Sequence, residues 1–225
     1  MDAWVERVMR KDQRDQSEST TTQQGIVVGI TANTCAVEME PNTPPLTVSS
    51  HLMNPVVGDR VTIGQGQSGE WSVVEVAPRR TKLSRPDVQT ASWEQVIVAN
   101  VDVVVIVVSV VTPPLHPKLI DRFLVAIRQG GASPLICVNK IDLLTDFSEL
   151  SVLDTYTEIG VGVVRCSTYH ETGLDSLRAA IAGKTCAFVG HSGVGKSSIV
   201  NVLNPDANLV VGAISEGYGR GTHTT

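Results

Sequence analysis

Residues 190–197 read G-H-S-G-V-G-K-S and match G-x-x-x-x-G-K-[ST], a pattern that binds phosphate groups. The segment lies between an apolar run at 185–189, which predicts a strand, and a helix predicted from Lys196. Its glycines would let backbone N–H groups turn inward around a β-phosphate, Lys196 would reach the β- and γ-phosphates, and Ser197 could ligate Mg²⁺. The predicted phosphate-binding residues are Gly190, His191, Ser192, Gly193, Val194, Gly195, Lys196, Ser197 and Ser198.

A second motif, N-K-I-D, places Asn139, Lys140 and Asp142 directly after an apolar run at 134–138. The Asp142 carboxylate can accept hydrogen bonds from both N1–H and the 2-amino group of guanine, an arrangement that adenine cannot offer. Alone, these residues are equally typical of an exposed polar turn. A phosphate-binding loop in the same predicted sheet favours a guanine-binding role.

Ser167 and Thr168 follow a third apolar run, at 161–166, and precede a predicted helix. Backbone N–H groups at this position could meet guanine O6. The same residues are common at helix starts, so the interpretation depends on the two motifs above.

Residues 217–225 read G-Y-G-R-G-T-H-T-T, which predicts a glycine-rich loop that ends in hydroxyl side chains. Either Thr224 or Thr225 could close on Mg²⁺ and the γ-phosphate. A frayed terminus is the alternative.

Alternating strand-like and helix-like patterns after residue 88 predict a doubly wound α/β domain over residues 91–225. The ligand sites of such a domain lie at the carboxyl ends of its strands, where the motifs above occur. Strands are predicted at 101–111, 134–138, 161–166 and 185–189, and helices at 118–129, 147–158, 174–182 and from 196.

The region before residue 78 has a different character. Residues 1–24 are polar and predict a disordered tail, whereas residues 25–77 contain short β-rich runs separated by Gly, Pro and Asn turns. About fifty residues of that kind suit a five-stranded barrel, with the OB-fold as the leading candidate.

Residues 78–90 are predicted to be a basic linker between the two domains. Its positive side chains could contact RNA, although charges are also ordinary in a solvated connection. The candidate RNA-binding residues are Arg79, Arg80, Lys82 and Arg85.

The composition and charge of the sequence exclude several classes of protein. The 225 residues carry a formal charge of −5, which argues against a general polyanion-binding surface, and 42% hydrophobic residues argue against a disordered chain. The longest apolar stretch, 101–111, is about half of what a membrane helix needs. The four cysteines form no C-x-x-C pair, so we expect reduced thiols in the cytosol.

The order of the motifs is that of a circularly permuted GTPase, because N-K-I-D and C-S-T precede the phosphate loop. Together with the barrel, the P-R-x-T-x-L-x-R-P segment at 78–86 and the terminal G-R-G-T-H-T-T, this order resembles the RsgA/YjeQ family of ribosome-assembly GTPases over about residues 25–225. The resemblance implies an OB-fold barrel followed by an α/β P-loop GTPase domain, GTP hydrolysis stimulated by the small ribosomal subunit, late maturation of that subunit, and rRNA contact by the barrel. His223 would then help to position the attacking water.

The sequence departs from the family pattern in its last part. The family continues into a D-x-P-G motif and a zinc-binding domain, which this sequence does not contain. We therefore expect a C-terminally truncated chain with an incomplete GTPase domain and little hydrolytic activity, and zinc only in the missing domain.

The sequence is thus interpreted as a monomeric GTPase that uses Mg²⁺ with GTP or GDP and binds the small ribosomal subunit and its rRNA. It is expected in the cytoplasm and not on membranes; in a plant, its location could be an organelle stroma. Three alternatives remain open: a nucleotide switch without hydrolysis, an ATP-dependent enzyme or kinase, and an RNA-binding module that uses only the barrel and the linker.

Overall fold

The structure is a computed structural model that describes residues 21–41, 43–51, 53–66, 68–86 and 94–204. The chain divides into two compact units, with the boundary between Arg79 and Arg80. None of the helices in these ranges is long and apolar enough to cross a membrane.

The first unit is a five-stranded barrel. Its strands are β1 (Thr22–Ile30), β2 (Thr34–Glu38), β3 (Leu46–Ser49), β4 (Arg60–Gln65) and β5 (Trp71–Val76). They close in the order β1-β2-β3-β5-β4. Alternate residues point inward, and β-branched side chains such as Val27, Val37 and Ile63 fill the interior. The predicted all-β barrel is confirmed.

Two features of the barrel differ from the expectation. β1 begins at Thr22, inside the segment expected to be a tail, because Thr22 pairs with Gly64 and Gln24 with Thr62 on β4. The threonine and glutamine side chains at the start of β1 are exposed, which agrees with their polarity. The β-rich runs that predicted the barrel lie at 25–30, 35–39, 60–63 and 71–76, so β3 is a fifth strand that they did not include. Residues 1–20 lie outside the described part of the chain.

The segment expected to be a linker, 78–90, is in part a strand. β6 (Lys82–Pro86) pairs antiparallel with β7 (Glu94–Ala99) in the second unit. The backbone N–H of Lys82 also donates to the Gly130 carbonyl oxygen at 2.9 Å. A Cβ at Gly130 would lie 1.7 Å from the Lys82 carbonyl oxygen, so this contact requires glycine. Charged side chains on the solvent side of β6 hid its strand character in the sequence.

Four parallel strands form the central sheet of the second unit. They are β8 (Val103–Val108), β9 (Ser133–Val138), β10 (Gly162–Arg165) and β11 (Cys186–Val189). Their order is β10-β9-β8-β11. β8 is buried along its whole length, which explains its continuous run of valine and isoleucine.

Helices cover both faces of this sheet. They are α1 (Pro117–Gln129), α2 (Asp154–Glu158), α3 (Leu174–Ile181) and α4 (Lys196–Leu203). Ile120 of α1 and Tyr156 of α2 belong to one hydrophobic cluster, and Leu177 of α3 and Ile199 of α4 belong to the other. The doubly wound α/β architecture is confirmed. The helix expected at 147–158 is a 3₁₀ stretch over Phe147–Leu153 before α2 begins.

Arg79 forms a bidentate ion pair with Asp59 of the barrel. Its Nε and Nη2 donate to the two carboxylate oxygens of Asp59, both at 2.8 Å. Asp59 is fully buried and also accepts a hydrogen bond from the Val56 backbone N–H at 2.8 Å. This arginine therefore satisfies a buried charge and belongs to the barrel's structure.

The other three cations of the expected RNA-binding patch also have partners within the chain, but these pairs are solvent-exposed. Arg80 donates to Asp102 at 2.7 Å, Lys82 pairs with Glu94, and Arg85 Nε donates to Gln95 at 2.8 Å.

Asp102 links the beginnings of two neighbouring strands. Its Oδ2 accepts from the Thr185 backbone N–H at 2.8 Å, just before β11, while Asp102 itself immediately precedes β8. The Thr185 N–H and, secondarily, the Arg80 guanidinium hold the pKa of Asp102 below its usual range. The carboxylate is therefore ionised at neutral pH.

We predict that Arg79→Ala destabilises the barrel by about 2–4 kcal/mol, because it leaves the buried Asp59 charge without its partner. Urea unfolding measures the change. Arg60→Ala, which removes an exposed barrel arginine, is the control and should change stability by less than about 0.5 kcal/mol. Equal effects of the two substitutions would contradict the assignment.

Candidate functional site

The loops that follow the four parallel strands begin side by side. The Asn139 backbone N–H donates to Val108 O at 2.8 Å, and the Cys166 N–H donates to Val138 O at 2.7 Å. The carboxyl ends of the strands thus share one edge of the sheet, where α/β proteins bind their ligands. The first residues after β8, β9, β10 and β11 are Ser109, Asn139, Cys166 and Gly190.

The phosphate loop leaves β11 and enters α4 through glycines that no other residue could replace without strain. Gly190 has φ +143°, and a Cβ there would lie 2.1 Å from the Val107 carbonyl oxygen of β8. Gly195 has φ +93° and stands at the N-cap of α4, where a Cβ would lie 2.3 Å from Asn139 Nδ2. The loop backbone is therefore packed against β8 and against the residue that follows β9.

Lys196 is buried at the start of α4. Its Nζ donates to the carbonyl oxygens of Gly190 at 2.9 Å and His191 at 2.8 Å. These bonds hold the ammonium inside the curve of the loop, where a phosphate group would meet it.

The remaining predicted phosphate-binding residues lie around this lysine. Val194 is buried, whereas the side chains of Ser197 and Ser198 are exposed in the first turn of α4. Because Gly195 has no side chain to cap α4, the first N–H groups of the helix can face an anion. His191, Ser192 and Gly193 form the exposed part of the loop.

Asn139 connects the N-K-I-D motif to the predicted phosphate loop. It is buried, and its Nδ2 donates to the Val194 carbonyl oxygen at 3.0 Å. Its Oδ1 accepts from the Thr168 backbone N–H at 3.3 Å and, more weakly, from Cys166 Sγ at 3.7 Å. One amide thus contacts the loops after β10 and β11 while standing at the end of β9.

Lys140 provides a second connection. Its backbone has φ +62°, an uncommon left-handed conformation for a lysine. Its Nζ donates to the carbonyl oxygens of Gly193 at 2.6 Å and Thr112 at 2.7 Å. The four-carbon stem of the side chain therefore lies fixed across the site.

Asp142 stands in the 3₁₀ turn Ile141–Leu143, with its side chain exposed. Its Oδ1 accepts a hydrogen bond from the Ser167 hydroxyl, and Ser167 Oγ accepts in turn from the His170 N–H at 3.2 Å. The carboxylate is thus oriented by the neighbouring loop and has its remaining acceptor positions toward solvent.

Ser167 and Thr168 contribute differently from what we expected. The Ser167 backbone N–H donates to Thr172 O at 2.9 Å, and the Thr168 N–H lies 3.3 Å from Asn139 Oδ1. The Ser167 N–H therefore already has a backbone acceptor, whereas the long Thr168 bond leaves that N–H the better placed of the two to bind a ligand.

The loop after β8 is a part of the site that sequence reasoning missed. Ser109 is buried and its Oγ accepts from the Thr112 N–H at 3.3 Å, which presents the Thr112 carbonyl oxygen to Lys140. A small cavity between this loop and the phosphate loop is lined in part by Pro113 and His191. The sequence signal that could have revealed this loop is its position, because it also follows a strand of the same sheet.

Three predicted residues, His223, Thr224 and Thr225, lie outside the described residues. Within residues 21–204, apart from the short gaps named above, no group of three or more His, Cys, Asp or Glu side chains could hold a metal ion.

Comparisons with known proteins agree with this geometry. The family model described as RsgA GTPase matches residues 76–225. A protein of Pseudomonas putida strain F1 named small ribosomal subunit biogenesis GTPase RsgA is 43% identical over 173 residues, which cover 76% of this chain and 50% of that protein. A protein of the same name from Azotobacter vinelandii is 39% identical over 194 residues, or 85% of this chain and 53% of its own length.

Two solved structures also resemble the chain. YjeQ from Thermotoga maritima matches with a TM-score of 0.64 and 29% identity, over 83% of this chain and 66% of that one. YloQ, described as a circularly permuted GTPase, matches with a TM-score of 0.59 and 28% identity, over 84% and 67%. The chain spans about half the length of the curated relatives it matches.

We predict that Asn139→Ala destabilises the second unit by about 1–3 kcal/mol, because it leaves the buried Val194 carbonyl without a donor and the Thr168 N–H without an acceptor. Denaturant unfolding is the measurement. Asn201→Ala, at an exposed position of α4, is the matched control and should be near neutral. Unchanged stability in Asn139→Ala would mean that this amide does not hold the loops together.

Proposed function

Because the chain belongs to the RsgA GTPase family, we propose that it binds GTP and GDP and acts as a GTPase in the biogenesis of the small ribosomal subunit. The observation that carries this proposal is the pair of bonds from the N-K-I-D motif to the phosphate loop, Asn139 Nδ2 to Val194 O and Lys140 Nζ to Gly193 O. They tie the loop that carries Asp142 directly to the loop that carries Lys196, which supports the proposal that one nucleotide contacts both loops.

In this proposal the nucleotide phosphates lie in the loop from Gly190 to Ser198, where Lys196 and the N–H groups of α4 supply positive charge. Mg²⁺ would be held by Ser197 and phosphate oxygens, and it would offset the charge that develops during phosphoryl transfer. Thr224 or Thr225 would complete its ligands, and His223 would position the attacking water.

The base would be read at its edge by Asp142. Ser167 orients that carboxylate, and the Thr168 N–H would meet guanine O6. An ATP-dependent enzyme is disfavoured, because adenine would give the exposed carboxylate no pair of donors.

Contact with rRNA is the finer part of the proposal. Arg80, Lys82 and Arg85 take part in solvent-exposed pairs, which stabilise a protein little, so phosphates can compete for these cations. Arg79 is left out because it satisfies the buried Asp59. We propose that the protein acts in late maturation of the subunit as a cytoplasmic monomer.

The barrel's own charge limits how it would meet RNA. Residues 21–79 contain two basic side chains, Arg60 and Arg79, against five acidic ones. Attraction to the phosphate backbone would therefore come from the second unit, and the barrel would contribute hydrogen bonds and apolar contacts. This observation disfavours the alternative of a pure RNA-binding module.

We predict that Asp142→Asn weakens GDP binding by about 1–3 kcal/mol and strengthens binding of xanthosine diphosphate, because the amide can donate to xanthine O2 where the carboxylate only accepts. Isothermal titration with GDP, xanthosine diphosphate and ADP measures the change. Lys196→Ala serves as the control and should lower the affinity for every nucleotide that the parent binds. If the Asp142→Asn variant binds GDP with the affinity of the parent, Asp142 does not take part in binding the base.

We also predict that changing Arg80, Lys82 and Arg85 together to alanine makes small-subunit binding less salt-dependent, by about two to three units in the slope of log K against log salt, since fewer counterions are released. Binding is measured at several salt concentrations, and GDP affinity should stay constant. An unchanged slope would show that these cations serve only their pairs within the chain.

A further inference from the structure

Cys137 and Cys166 bring two thiols into contact inside the second unit. Their Sγ atoms lie 3.4 Å apart, and both side chains are buried. Cys137 belongs to β9, and its register partner on β10 is Val164, two residues before Cys166. The ladder continues to Cys166, whose N–H donates to Val138 O at 2.7 Å. Because alternate residues of a strand share a face, both sulfurs point to the same side of the sheet, and no C-x-x-C spacing is needed for their contact.

The two cysteines differ in their freedom to move. Cys137 pairs with Val107 of β8 on one side and with Val164 of β10 on the other, so its position is fixed by two neighbouring strands. Cys166 is the first residue after β10 and precedes the turn 167–172, which is closed by backbone hydrogen bonds of 2.9 and 3.1 Å. A movement that brings the two sulfurs together would therefore be taken up by this turn.

Cys166 also contacts the N-K-I-D motif. Its thiol donates to Asn139 Oδ1 at 3.7 Å, and its carbonyl oxygen accepts from the Ile141 N–H at 3.3 Å. Asn139 Oδ1 accepts from the Thr168 N–H as well, at 3.3 Å. A chemical change at the Cys166 sulfur thus acts directly on the amide that ties these loops together.

The hydrogen bond between the two thiols makes them chemically unequal. Donation from Cys137 lowers the pKa of Cys166, whereas the same bond, and then burial, raise the pKa of Cys137. The thiolate is the nucleophile in cysteine chemistry. Cys166 is therefore the sulfur that would react first with an oxidant, and Cys137 is in place to attack the product.

We propose that Cys137 and Cys166 form a reversible disulfide that rearranges the turn after β10 and thereby weakens nucleotide binding. The effect on the nucleotide rests on the proposed function, whereas formation of the disulfide and the change in the turn do not. Disulfides of cytosolic proteins are usually transient and redox-sensing, and this pair would be reduced at rest.

A peroxide would supply the oxidising equivalents. Local opening of the turn 167–172 exposes the Cys166 sulfur to so small an oxidant. The Cys166 thiolate attacks one oxygen of hydrogen peroxide, the O–O bond breaks, and the departing hydroxide takes up the proton that Cys166 released. The Cys137 sulfur then attacks the sulfur of the Cys166 sulfenic acid, the S–O bond breaks, and the Cys137 proton leaves with that oxygen as water. Two thiols and one peroxide thus give one disulfide and two waters, and a dithiol reverses the change by exchange.

The disulfide would disturb the neighbouring loops in two ways. A covalent bond between two sulfurs is shorter than their present separation of 3.4 Å, so the turn that begins at Cys166 would move toward β9. Cys166 would also lose the S–H that donates to Asn139. The Ser167 hydroxyl, which bonds to Asp142, would shift with the turn. Groups proposed to read the base would therefore leave their positions.

The first test detects the bond itself, in the 225-residue chain with Cys186→Ala, because Cys186 is partly exposed and could link two molecules. The protein is treated with hydrogen peroxide, remaining thiols are alkylated, and unreduced peptides are mapped by mass spectrometry. We expect a peptide that joins Cys137 to Cys166 and that disappears after treatment with dithiothreitol. Cys35, buried in the barrel, is the internal control and should stay a free thiol. If Cys137 and Cys166 are recovered without a link between them, the proposal is wrong.

Titration with GDP then compares the reduced and the oxidised protein. We expect oxidation to weaken GDP binding about ten-fold, within the usual range for coupled sites, and dithiothreitol to restore it. Because coupling is reciprocal, saturating GDP should shift the equilibrium of the pair with dithiothreitol toward the thiols by the same factor. Cys166→Ala has neither the reactive thiol nor the disulfide, so its GDP affinity should be the same with and without peroxide.

A measurement without nucleotide separates this inference from the proposed function. Amide hydrogen exchange over residues 166–173 should be faster in the oxidised chain, since the bond from Thr168 to Asn139 is weakened, whereas the barrel strands should exchange equally in both forms. If the reduced chain does not bind GDP, the proposed function fails, and the linked peptide and the faster exchange still decide whether the disulfide rearranges the turn. If the reduced chain binds GDP and the disulfide leaves that affinity unchanged, the regulatory role is wrong and the proposed function stands.

Discussion

The buried amide of Asn139 is the interaction on which the site depends. It follows β9, and its side chain bonds to the loops that follow β10 and β11, so a single side chain ties the predicted base-reading loops to the predicted phosphate loop. Gly195 must lack a Cβ for this amide to approach. The two motifs are therefore coupled by packing, and a change in either would displace the other.

The sequence predicted the parts of the fold in which a local pattern and its tertiary role coincide. The buried valine strand, the amphipathic helix after it and the glycine loop between strand and helix all carry their own signatures. The strand Lys82–Pro86 carries no such signature, because its polar outer face resembles a linker and its partner strand lies eight residues further on. Thr112 joins the site only through its carbonyl oxygen, and no side-chain pattern reveals which backbone groups a lysine will find.

Charge shows the same limit of sequence reasoning. Four cations within seven residues suggested one surface, yet the structure gives them different roles. Arg79 neutralises a carboxylate inside the barrel, whereas the exposed pairs of Arg80 and Lys82 are weak and open to competition. The type of a side chain predicts which groups it can pair with, but only its burial shows whether a pair within the chain is strong enough to exclude an outside ligand.

The position of Lys196 bears on the kinetics of ligand entry. Its ammonium is buried and bonded to two loop carbonyls, so at the proposed site a nucleotide phosphate would meet a cation that is already oriented. The cost of desolvating that charge belongs to folding and does not slow each binding event. At the proposed site a ligand would replace or supplement both carbonyls, which would favour polyphosphates with several oxygens over a single small anion.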